Sequence, residues 1–438
     1  MSLVFRLITY GISWVAYLSF MASYAPLGNS WLHWHFQRIY NASEYLKLNG
    51  YFSSYGFTIW SSCENCVLNA ADWVGNIYLS ITSVTLSPYL MLNHFWGEEA
   101  LELYGPLVDK LVIFIAAAAA AELIIKCVKN YSKLPVYFIG VSSFVLFSTS
   151  PWVYKVLVAT WDEIYFLMFV LLGFLCFANQ RNVLACLLFV AAGLFNYQWG
   201  MAVALFYTLI FFASLVTKEP VALKNYFPPS ILESTHKLFM ICSLLVGTLL
   251  TLTLRLLAAE GLDGSDGTPL LSRVGITGDD IHNGGLLGAL QFLGGNRITV
   301  CFGDYGSGIL SLNSANFLDS IAIYNCSLSI GGMAILSLLA IVGMLILLKK
   351  SEPSQWLVLP ILFALLVFVT TLQQSLSVHL MGYSYIFSFI FAVGITGLML
   401  YFSQLIKSSA LGLVFLVPCL IGIVILSIRV SMLTGVNG

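Results

Sequence analysis

The sequence predicts an all-α fold, a polytopic transmembrane helical bundle of about eleven spans, forming one domain over residues 1–438 with a long first extracytoplasmic loop that carries juxtamembrane helices. Three observations predict it. Hydrophobic residues make up 59% of the chain and charged residues only 9%, where soluble domains carry roughly 25% charged residues. The mean hydropathy is +0.90. Apolar runs of about 20 residues, the length that crosses the hydrocarbon layer, recur along the chain and are separated by two long polar stretches, 25–108 and 258–321.

Taken in order, the apolar runs fall at about 4–24, 108–128, 134–150, 163–180, 183–196, 198–217, 237–257, 322–348, 355–375, 380–402 and 409–432. The first has one Arg ahead of its apolar core and a poor small-residue cleavage site, so it reads as a retained span and not as a removed signal peptide. Residues 183–196 are short and turn back tightly at Asn196-Tyr197-Gln198. Residues 75–95 are apolar enough to cross. A crossing there, however, would put Lys126, Lys129 and Lys133 on the same side as the long first loop, against the bias of basic residues towards the cytoplasm. Laid along the interface instead, residues 75–95 leave that cluster cytoplasmic, together with Arg6, Arg181, Lys218, Lys224, Lys237, Lys349, Lys350 and Lys407. The expectation is a multi-pass protein of a bacterial inner membrane, N-terminus cytoplasmic, with most of its Asp and Glu outside. The alanine run from Ala116 to Ala121 suits close helix packing.

A net charge of −1 without any Lys/Arg run gives no footprint for nucleic acid, and the natural partner is membrane lipid or a lipid-linked molecule. Oligomeric state is not readable. The metalloprotease, phosphate-loop and nucleophile-elbow signatures are all missing, and no metal site is assigned. The cofactor is therefore unknown, a divalent metal staying open. Cys63 and Cys66 stand as C-E-N-C in the first loop and form a disulfide pair if that loop faces an oxidising compartment.

The candidate functional residues lie mainly in the two polar stretches and at the predicted outer ends of spans. Residues 28–60 place His33, His35, Arg38 and Glu44 among many aromatics. Interfacial belts account for the aromatics but not for those four together, and the planar fork of Arg38 suits a phosphate oxygen. Asp162 and Glu163 open a span, where acids near a membrane are functional by default; Lys155 lies a short stretch before them. Between the ninth and tenth spans, His379 and Tyr383 mark an outer mouth, and Arg297 offers a cation in the second long loop.

This layout resembles the GT-C class of membrane glycosyltransferases, which take sugars from polyprenyl-phosphate donors on the extracytoplasmic side. The residues that carry the resemblance are Phe36, Arg38, Ala42, Asn49 and Gly50, the proline-led stretch SPYLMLNHFWGEEALELYGPLVDKLVIF, and Thr160-Trp161-Asp162-Glu163 at the entrance to a span. In the class, two juxtamembrane helices follow the first span, here about 31–48 and 75–95. The class also places a catalytic Asp just after the first span, whereas this chain has Asn29 in that slot and no acid from Tyr24 to His35. The base then falls to another acid of the same loop, with Glu44 and Asp72 the leading candidates beside Glu64. The resemblance implies transfer of a sugar to a glycan, lipid or protein acceptor by general-base-assisted attack. Asp162 and Glu163 would orient the acceptor, and His35, Arg38, Lys155, Arg297, His379 and Tyr383 would hold the carrier.

Two rival readings are an O-antigen-type polymerase or ligase, whose largest loops fall in the second half of the chain, and a transporter or flippase, for which inverted repeats and charged, broken helices would be expected.

Overall fold

A computed structural model of the chain describes residues 3–24, 39–44, 46–47, 50, 57–59, 77–129, 132–157, 162–216, 235–260, 317–350, 358–359, 361–362, 375–406 and 409–435. The described chain is dominated by helices: α1 (Leu3–Tyr24), α2 (Ser83–Trp96), α3 (Glu98–Val128), α4 (Val136–Ser148), α5 (Pro151–Val156), α6 (Asp162–Phe177), α7 (Asn182–Phe195), α8 (Tyr197–Val216), α9 (Thr235–Glu260), α10 (Phe317–Lys350), α11 (Ser375–Leu405) and α12 (Ser409–Gly435).

Among the described residues, five stretches are long and apolar enough to cross a membrane: Leu3–Ala22, Glu98–Val128, Gly331–Lys349, Tyr385–Leu405 and Gly412–Ser431. Val136–Ser148, Ile164–Phe177, Asn182–Phe195, Trp199–Leu209 and Ile241–Leu254 are shorter apolar helices. Of the predicted ninth span, 355–375, only residues 358–359 and 361–362 and the start of α11 at Ser375 are described, all helical. Outward faces suit lipid as the surrounding solvent. On α1 the exposed stripe is Val4, Ile8, Ile12 and Val15, and on α12 it is Val414, Val417, Ile421 and Ile425, both at helical spacing where a water-facing helix would carry polar residues.

The helices take their directions from specific contacts. Phe5 packs on Tyr137 and Tyr10 stacks on Phe144, so α1 and α4 run parallel. Ile125 approaches Gly140 while Phe114 meets Phe144, so α3 runs antiparallel to α4. Ser143 bonds Thr396 and Phe147 packs on Tyr385, so α11 is antiparallel to α4 as well. One end of the bundle therefore gathers the end of α1, the starts of α3 and α11, and the α4–α5 junction. The opposite end holds Arg6 of α1 and Glu122 of α3, whose bidentate ion pair (2.7 and 2.8 Å) also accepts the Tyr10 hydroxyl at 3.0 Å. Gly140 makes room for that triad, because a Cβ there would stand only 2.8 Å from Ile125 Cδ1 and against the Tyr10 hydroxyl.

Small residues set the closest helix crossing. A Cβ on Gly394 would run into the carbonyl of Ala340, and one on Gly397 into that of Gly343. As the contact advances along α11 it advances along α10, so these two helices lie parallel. A second crossing joins α7 to α9: a Cβ on Gly193 would lie 2.7 Å from the Leu244 carbonyl oxygen, and the Thr251 hydroxyl donates to Gly247 O at 3.1 Å and Leu194 O at 3.3 Å. The tight α7–α8 turn is capped by Asn196, whose Oδ1 accepts from the Trp199 amide at 3.1 Å.

The predicted interfacial helix over 75–95 is replaced in its first part by a strand. Ile77–Thr82 pairs antiparallel with Phe57–Ile59, with an irregularity between Phe57 and Thr58, and the helix begins only at Ser83. The physical reason is composition. The run Ile77-Tyr78-Leu79-Ser80-Ile81-Thr82 is rich in β-branched and aromatic residues with period-two alternation. Outside this short two-stranded ladder the described residues are mainly helical, and the predicted all-α class stands. The remaining helix has 14 residues, about 21 Å at 1.5 Å per residue, less than the ~30 Å hydrocarbon thickness. The second predicted span starts earlier than 108: α3 opens at Glu98, with Glu98 and Glu99 in its first turn complementing the helix dipole. Between α2 and α3, Gly97 has φ 82°, a left-handed turn that glycine enters without steric cost.

Candidate functional site

Helix α2 is the platform of the site. Its buried face carries Tyr89, Leu90 and Asn93, and residues four apart share a helix face. The opposite face exposes Met91, Phe95 and Trp96. Each polar residue of the buried face binds a carboxylate from a different segment.

Asn93 holds Glu44. Its Nδ2 donates to Glu44 Oε1 at 2.8 Å and to Ser43 Oγ at 2.8 Å, and Lys47 Nζ approaches the same Glu44 oxygen at 3.3 Å. The helical residues 39–44 and 46–47 are thereby docked on the end of α2. Tyr40 belongs to the same cluster: burial first, then the Glu98 and Glu44 charges and a hydrogen bond to Glu98, push its hydroxyl above the ordinary tyrosine value. It stays a neutral phenol through the physiological range.

Tyr89 holds Asp109. The Tyr89 hydroxyl donates to Asp109 Oδ1 and in turn accepts from the Tyr165 hydroxyl at 2.9 Å. All three are sealed, with 0%, 1% and 2% of Tyr89, Asp109 and Tyr165 exposed. Burial, then the neighbouring Asp109 and Tyr165, hold the Tyr89 hydroxyl well above its usual range, so it remains a proton donor. Tyr165 stacks on Phe195 with ring centroids 4.9 Å apart, which fixes the orientation of its ring.

Of the residues predicted from sequence, Glu44 lies in this cluster. Asp162 and Glu163 are the first two residues of α6, and Asp162 stands one turn before Tyr165. Lys155 is on α5, which packs against α11, and His379 and Tyr383 lie in the first turns of α11. These positions share the end of the bundle that α2 occupies; their side chains lie outside the described residues. Asp72, His35, Arg38 and Arg297 lie outside the described residues altogether, as do Cys63 and Cys66. Glu44 is engaged by Lys47 and Asn93.

Sequence reasoning missed Asp109, Tyr89, Asn93 and Tyr165. A signal for Asp109 existed: it is an acid one residue inside the predicted span 108–128, and an acid at that depth is costly unless it has a role. The two tyrosines and the asparagine carried no such mark, because their role appears only when α2, α3 and α6 meet. Among the described residues no three His, Cys, Asp or Glu gather at metal-binding range.

Chemically, the site pairs a carboxylate held by an amide and an ammonium with a second carboxylate fed by two phenols. Comparison of the chain with protein-family models, with curated proteins and with solved structures found no match.

Proposed function

We propose that the chain is an integral membrane glycosyltransferase of GT-C-like layout, moving a sugar from a polyprenyl-phosphate carrier to an extracytoplasmic acceptor. The observation that carries this reading is the pair of carboxylates, Glu44 and Asp109, held one helical turn apart on a single face of α2 by Asn93 and Tyr89. Deprotonation of an acceptor hydroxyl wants a positioned carboxylate. The first-turn acids of α6 stand beside the same cluster, and Lys155, His379 and Tyr383 sit on elements that reach the same end.

The proposed orientation follows the basic residues. Arg6, Lys126, Lys129 and Lys133 lie at the end opposite α2, which is the cytoplasmic end under the positive-inside bias. The acids then face outward, and the full set of about eleven spans belongs to this proposal. Glu44 is the base in this account, with Asp72 the other loop acid in contention; Asp162 and Glu163 orient the acceptor.

The test is transfer of labelled sugar from synthetic polyprenyl-phosphate donors by the purified chain in proteoliposomes. Glu44→Gln is expected to lower turnover about 100-fold or more, the ordinary contribution of general acid–base catalysis, while the variant folds and binds donor. Full activity of Glu44→Gln, Asp162→Asn and Glu163→Gln together would sink the reading.

A further inference from the structure

Lys110 is a cation within Glu98–Val128, a stretch long and apolar enough to cross a membrane. It is half-buried, and among the described residues no hydrogen bond or ion pair reaches its ammonium. The neighbouring Asp109 attracts it through space but forms no ion pair with it. Residues adjacent in a helix point about 100° apart, and Asp109 is turned to α2, where Tyr89 bonds it. A charged side chain inside a span is rare, and it is normally paired with an opposite charge or set at a functional site. Lys110 therefore calls for an anion from outside the described residues.

The face on which Lys110 stands decides what kind of anion can reach it. Residues three, four and seven apart share a helix face, so Lys110 stands with Leu103, Leu107 and Phe114. Leu103 and Leu107 are exposed, and so is Leu111 beside them. One turn further along α3, Phe114 is partly buried and meets Phe144 of α4. Lys110 thus sits at the step where a bare apolar edge of α3 runs into the α3–α4 contact. Asp109 and its Tyr89 bond lie on a different face of the helix, as does the cluster on α2.

We propose that Lys110 holds the phosphate of an anionic membrane glycerophospholipid whose acyl chains cover the exposed leucines of α3. An ammonium offers three donors and no acceptor, and its compact charge is a common partner of phosphate oxygens. The lysine stem lies along apolar surface while its head reaches the phosphate. Both halves of such a lipid match the site: the head supplies the missing negative charge, and the tails remove Leu103, Leu107 and Leu111 from polar surroundings. A free anion would leave those leucines bare. A zwitterionic lipid carries its own ammonium, which competes with Lys110 for the phosphate, so a lipid with net negative charge is favoured. This site goes beyond the transfer reaction proposed above and does not depend on it, because its face is not the one that gathers the carboxylates.

The test places the full chain in phosphatidylcholine nanodiscs with a small fraction of photoreactive phosphatidylglycerol and maps the adducts by mass spectrometry. Wild type is expected to be labelled on α3 between Leu103 and Phe114, several-fold more than Lys110→Gln, with labelling restored in Lys110→Arg and kept in Lys133→Gln at the opposite end of the bundle. Competition on the wild type needs no variant and guards against a misfolded one: unlabelled phosphatidylglycerol is expected to displace the adduct, and phosphatidylcholine or inorganic phosphate to leave it. Absence of adducts on this segment, or equal labelling of Lys110→Gln, overturns the site. Displacement by phosphatidylcholine as readily as by phosphatidylglycerol would reduce it to apolar contact, and displacement by inorganic phosphate alone would make it a free-ion site. Displacement by polyprenyl phosphate but not by phosphatidylglycerol would assign Lys110 to the carrier; each of these three results also overturns the proposal. Labelling requires no sugar transfer, so a chain that is silent with every donor leaves this result standing, and loss of the lipid site leaves the functional reading untouched.

Discussion

Gly394→Leu is expected to separate α10 from α11 and to cost about 3 kcal/mol or more, the upper part of the range for overpacking a tight core. The usual escape is closed, because the new Cβ would strike the Ala340 backbone and not the movable end of a side chain. Small residues at such crossings let two backbones approach, and in lipid that approach supplies much of the packing energy between helices. Gly422 of α12, with open space around a built Cβ, provides the control: Gly422→Leu is expected to leave stability within about 0.5 kcal/mol. Denaturant titration in mixed micelles checks both, with fluorescence from the ten tryptophans as the signal.

Glu122→Ala carries the second large effect. Arg6 and Glu122 are only 13% and 12% exposed in their side chains, and removing one partner of such a pair leaves the other as an uncompensated buried charge, at about 3–5 kcal/mol. The sharper result is the comparison with Arg6→Met/Glu122→Met. Replacing both charges by apolar side chains removes the desolvation cost together with the attraction, so the double variant is expected to be more stable than Glu122→Ala and close to wild type. Equal losses in the two variants would mean that the triad with Tyr10 contributes more than its ion pair. The same titration measures all three proteins.

Why some of this was legible in the sequence and some was not follows from what each feature depends on. Helices α4, α6, α7, α8, α9, α10, α11 and α12 coincide with runs whose apolar character is local, and the Asn196 turn was visible because a capping side chain acts within three residues. The first strand-and-helix stretch was misread as one helix because hydropathy alone is the same for Ile77–Thr82 in either form; the alternation and the partner at Phe57–Ile59 decide it. The start of α3 was placed too late because Glu98, Glu99 and Glu102 interrupt the apolar run, although acids favour a helix N-terminus.

The site divides along the same line. Glu44 was found because a charged residue in an aromatic segment stands out against 9% charge. Tyr89, Asn93 and Tyr165 are ordinary interfacial residues in sequence, and only the packing of α2 against α3 and α6 turns them into carboxylate partners. Glu122 is an isolated acid in an apolar run of the sequence, but its partner lies on α1, and no local pattern links it to Arg6.

In the proposed reading, the lipid-linked donor is handled at the end of the bundle built around α2. A photoreactive short-chain polyprenyl-phosphate analogue, cross-linked to the full chain in nanodiscs and mapped by mass spectrometry, tests it most directly. Adducts are expected on α2, on the first turns of α6 and on the start of α11, competed away by unlabelled polyprenyl phosphate. Adducts confined to the end that carries Arg6 and Glu122, or adducts that polyprenyl phosphate does not displace, would contradict it.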